Sequence, residues 1–183
     1  MKKIQVLCFG IFAVLGSPIA SAHGMHGIGF MAGLVHPLLG FDHVLALLGM
    51  GAGVAAFGAR RRWAAAGLML SGLLAGLFSG LQANFSIDPW LGATLVLLAA
   101  MLLRQKVFSA SLRLPLIAAL ACLHGFAHGM AWPQQQAMMP SALGVACTSL
   151  ALFALGMTLR HARTQAGFGG LLGIAGLGFL FGA

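Results

Sequence analysis

Long apolar stretches with almost no charge inside them limit what this chain can fold into more than any other feature. Of its 183 residues, 60% are hydrophobic and 7% charged, against roughly 25% charged in soluble domains. The mean hydropathy is +0.99. In lipid no water satisfies the backbone, so a segment crosses as a helix of about 20 apolar residues. Such stretches are predicted near 28–57, 64–83, 89–104, 113–131, 137–159 and 167–182. The expected fold class is all-α: a polytopic membrane helix bundle of about six transmembrane helices, with no soluble domain. The first stretch is too long for one straight crossing, and Pro37 and Gly40 give it a place to kink or divide.

The connections test this division. Arg60, Arg61 and Arg62 fall in the first, Arg104, Lys106 and Arg113 in the third, and Arg160 and Arg163 in the fifth. The second and fourth connections carry no Lys or Arg. By the positive-inside rule the basic loops are cytoplasmic and the start of the bundle faces outward, which is periplasmic if the membrane is a bacterial inner membrane. A net charge of +8 therefore reports topology. No basic stripe runs along one helix, so nucleic acid is not an expected partner.

Residues 1–22 read as a secretory signal: Lys2 and Lys3, an apolar run from Ile4 to Gly16, then Ala20-Ser21-Ala22 as a small-residue cleavage site. The bundle then occupies 23–183 and starts at His23 on the exported side. Cys122 and Cys147 remain after Cys8 leaves with the signal, too few for a disulfide framework. Glycines spaced by four, at Gly49 and Gly53, Gly72, Gly76 and Gly80, Gly125 and Gly129, and Gly178 and Gly182, are expected to let helix backbones approach closely.

Chemistry concentrates in two places. His36, Asp42 and His43 lie in the first apolar stretch, His124 and His128 in the fourth, and Asp42 is one of only two acidic residues. Ionisable groups at membrane depth cost at least ~2.5 kcal/mol each and seldom persist there without a partner or a job. On an unbroken helix His36 and His43 share a face but stand ~10 Å apart. Either the helix breaks between them or they mark successive stations on a path. His124 and His128, at i and i+4, can hold one metal ion. Imidazole with carboxylate suits nickel, zinc, copper or iron better than magnesium or calcium. His23 and His26 offer a further pair of imidazoles at the exported mouth, suited to capturing an ion before entry.

The first pattern, His36 with Asp42-His43, resembles one found in the HupE/UreJ family of nickel permeases. So does the second, His124-Gly125-x-Ala127-His128-Gly129, and the likeness covers nearly the whole chain. It implies secondary transport of Ni²⁺ or another divalent transition metal across the inner membrane, supplying urease or [NiFe]-hydrogenase maturation. It also implies that His36, Asp42, His43, His124 and His128 are needed for passage. The family often has a Glu two residues after the second motif, where this chain has Ala131. No tightly bound cofactor and no enzymatic activity are expected. The expected partners are the bilayer, the nickel ion, cytoplasmic nickel metallochaperones and further copies of the chain. Protonated imidazole cannot ligate, so acidification should slow uptake. Two other classes use the same residue types: an intramembrane zinc hydrolase with Asp42 as base, and a haem or thiol electron carrier.

Overall fold

A computed structural model describes residues 29–83, 87–132 and 137–181. Within them the chain is helical, with no strand. The helices are α1 (Phe30–Leu39), α2 (Phe41–Val54), α3 (Ala59–Gly80), α4 (Asp88–Leu103), α5 (Ala110–Met130), α6 (Met138–Gly156) and α7 (Ala162–Phe181). The expected signal segment, His23 and His26 lie outside the described residues.

The long first stretch does divide. Its break falls at Gly40, which takes an extended conformation between α1 and α2, and the two helices meet at 86°. Pro37, by contrast, is accommodated inside α1. Helices α3, α5, α6 and α7 are each long and apolar enough to cross a membrane, and α1 with α2 passes the same test as one bent span. Helix α4 is shorter, about 24 Å at the usual rise. Many large apolar side chains are left exposed, among them Leu143, Ile174 and Phe181, as a lipid-facing surface requires. The chain is a multi-pass membrane protein.

Glycine sets the packing of the largest helix pair. Gly72, Gly76 and Gly80 of α3 lie directly against the carbonyls of Ala118, Cys122 and Phe126 of α5. Gly125 and Gly129 of α5 lie as closely against Leu73 and Leu77 of α3. The constant offset makes α3 and α5 parallel, with backbones in van der Waals contact. Helices α4 and α7 run antiparallel, Gly92 meeting Gly176 and Leu102 meeting Gly169. Gly178 has open space beside it, and its expected partner Gly182 lies outside the described residues.

Helix α2 is the hub. It touches every other helix, and Leu45, Ala46, Leu47, Met50, Ala52 and Val54 are all buried. Its last turn gathers the ends of its neighbours. The Arg113 guanidinium donates to the Gly53 carbonyl at 2.8 Å, the Gln165 amide donates to the Ala52 carbonyl at 3.0 Å, and Met101 lies against Gly53. These contacts bring the start of α5, the start of α7 and the end of α4 to one end of the bundle, where the basic connections lie. One expectation changes in detail: Arg113 is not in a loop. It sits in the first turn of α5, only 6% exposed, and donates also to the carbonyls of Phe108 and Gln105.

Candidate metal site

The bend at Gly40 determines where the first motif points. It starts a new helix just before Asp42 and His43, placing both in the first turn of α2, while His36 stays on α1. Across from them α5 presents His124 and His128 one turn apart, on a face about 100° around the helix from Gly125 and Gly129. Those glycines bring α5 close to α3 and leave its histidine face toward α2.

The four rings form a continuous series. Centroids of His36 and His128 are 4.7 Å apart, His128 and His43 4.2 Å, and His43 and His124 5.2 Å. The series begins at the surface and ends in the interior: His36 is exposed and His43 half-buried, while the two rings of α5, His128 and His124, are 3% and 2% exposed. The break therefore resolves the geometric difficulty of the first motif, because His36 and His43 flank the same ring of α5. His124 lies six residues, or ~9 Å, from the Arg-free end of α5 and His128 two residues, or ~3 Å.

Asp42 and His43 form a pair, with His43 Nδ1 2.9 Å from Asp42 Oδ2. With its Nδ1–H donated to the carboxylate, His43 keeps a lone pair on Nε2. One ligand atom from each of Asp42, His43 and His124 lies within 4.8 Å of the others, a spacing that a single ion can gather with small side-chain movements. Among the described residues, five buried side-chain nitrogen or oxygen atoms have no hydrogen-bond partner, and three are ring nitrogens of this cluster: His43 Nε2, His124 Nδ1 and His128 Nε2. A stranded polar atom in a dry interior costs about 1–3 kcal/mol. Three such atoms on adjacent rings are a donor set of the kind a divalent transition metal accepts.

One member of the site was not among the expected residues. The Thr94 hydroxyl of α4 lies 2.8 Å from His124 Nε2 and is 3% exposed. A signal for it exists: between Leu91 and Leu103 it is the only polar side chain. Cys122 and Cys147 are free thiols.

The chain is similar to known proteins along most of its length. The family model described as HupE / UreJ protein matches residues 11–181. Protein HupE of Rhizobium leguminosarum bv. viciae is 29% identical, over 93% of this chain and 95% of that protein. No solved structure matches. Because the family match runs through every described helix and both histidine motifs, the chain belongs to the HupE/UreJ family.

Proposed function

We propose that this protein is a permease, not an enzyme, that carries a divalent transition-metal cation inward across a bacterial inner membrane, with Ni²⁺ as the preferred ion. The observation that carries this reading is the set of three partnerless imidazole nitrogens beside a half-buried carboxylate. Neutral rings replace lost hydration, and Asp42 offsets part of the ion's charge. The ion is received at exposed His36 and passed by way of His128 to His43 and His124. Several weak, adjacent positions suit passage, since one rigid site would retain the ion. His23 and His26 serve as the capture point ahead of this series. The released ion goes to cytoplasmic nickel metallochaperones that supply urease or [NiFe]-hydrogenase, and residues 1–22 are removed on export.

The test is accumulation of radioactive nickel by cells with and without the protein, beside His124→Ala and Asp42→Asn at matched expression. Accumulation that depends on the protein and disappears in both variants is the expected result. Equal accumulation with and without the protein would refute the reading. Orientation has its own check. A cysteine replacing Gln82, in a chain lacking Cys147, should react with a membrane-impermeant maleimide in intact cells, and one replacing Arg61 should not.

A further inference from the structure

Helical threonines commonly turn their hydroxyl back onto a carbonyl three or four residues earlier. Ser71, Ser79, Thr158 and Thr164 do so here, onto Leu68, Gly76, Leu155 and His161. Thr94 does so too, donating to the Leu91 carbonyl at 2.7 Å, yet the same oxygen stands 2.8 Å from His124 Nε2. A hydroxyl has one proton. With that proton on Leu91, the Thr94 oxygen is an acceptor, and His124 Nε2 must carry the hydrogen it donates. A neutral imidazole has a single N–H, so Nδ1 then holds a lone pair. The opposite assignment would put the ring proton on Nδ1, which is buried and has no acceptor.

We propose that Thr94 is a positioning residue of the cation site: by accepting from His124 Nε2, it holds the ring in the tautomer that presents Nδ1 as a ligand. The inference rests on the cation site proposed above. Thr94 does for His124 what Asp42 does for His43, fixing which nitrogen is free, but without a charge. The two ligands are therefore unequal. His43 is oriented by a charged carboxylate and His124 by a neutral hydroxyl.

Thr94→Val keeps the branched shape and removes the acceptor, whereas Thr94→Ser keeps the acceptor. Calorimetric titration of the detergent-solubilised full-length chain with Ni²⁺ should show about 10–100-fold weaker binding for Thr94→Val, the usual effect of losing such a partner. Thr94→Ser should bind nearly as well as the wild type. Ring ¹⁵N spectra of metal-free protein should place the His124 proton on Nε2 in the wild type and on a mixture of nitrogens in Thr94→Val. The wild-type spectrum needs no variant, so it decides even if Thr94→Val fails to fold. A proton on Nδ1 in the wild type overturns the proposal. So does Thr94→Val binding nickel as tightly as wild type while His124→Ala loses it. A wild type that binds no nickel, with Nε2 protonated, overturns the cation site itself and the positioning role with it.

Discussion

His128 of α5 and His43 of α2 bring their rings to 4.2 Å between centroids, the closest ring contact in a series that begins at exposed His36. His128 is thus the bridge between His36 and the inner group of Asp42, His43 and His124. Removing it should separate binding from movement. His128→Ala is expected to retain nickel binding within a few-fold, measured by titration, while nickel uptake by cells falls at least about tenfold. Loss of both together would make His128 a principal ligand instead.

Gly40 has a second role besides the break. A β-carbon there would come within 2.6 Å of His43 Nδ1 and 3.0 Å of Asp42 Oδ1, although the backbone conformation itself suits any residue. Gly40→Ala should therefore push apart the Asp42–His43 pair and weaken nickel binding by about tenfold or more, the scale of losing an orienting partner. Thermal unfolding should shift little. Gly58→Ala, with open space beside it, is the matched control and should leave binding unchanged.

The α3–α5 contact predicts a purely structural effect. A β-carbon at Gly76 would run into the backbone of Cys122, so Gly76→Ala must spread the two helices, at roughly the 1–3 kcal/mol typical of overpacking. Gly170→Ala, which meets nothing, should instead stabilise slightly, by about 0.5–1 kcal/mol from helix propensity. Opposite shifts in midpoint temperature would confirm both.

Arg113 holds the end of α2 by donating to Gly53, Gln105 and Phe108, with Phe57 beneath the guanidinium at 5.6 Å. Each hydrogen bond from a charged group is worth about 1.5–3 kcal/mol. Arg113→Met should therefore lower stability by at least about 2 kcal/mol. Arg113→Lys, a point donor without the planar fork, should recover only part of it. Denaturation of both variants in the same detergent measures the difference.

The all-helical membrane fold, the basic end of the bundle and the two motifs were legible in the sequence, because lipid imposes length and polarity rules that composition obeys directly. The break between His36 and His43 was legible as one of two options, since Pro37 and Gly40 both permit it. Which one acts depends on packing: Pro37 stays inside α1, whose Leu34 carbonyl accepts from the Thr148 hydroxyl of α6. Thr94 was passed over because a lone threonine in an apolar helix usually bonds only to itself. Its meeting with His124 needs α4 and α5 side by side, and no local pattern encodes that. The burial of Arg113 was hidden for a similar reason, as its acceptor Gly53 lies 60 residues away on α2.

Below the histidines, Met50 of α2 is buried with Met69, Leu73, Leu95, Leu98 and Met101 of its neighbours, each at most 1% exposed, down to the Arg113 clamp. From His43 to Gly53 this apolar layer is about 15 Å deep. A hydrated ion finds no polar partner among these six side chains. On the proposed reading the protein must work by alternating access, rearranging once per ion, so its flux should saturate with concentration as a carrier's does and never reach channel rates.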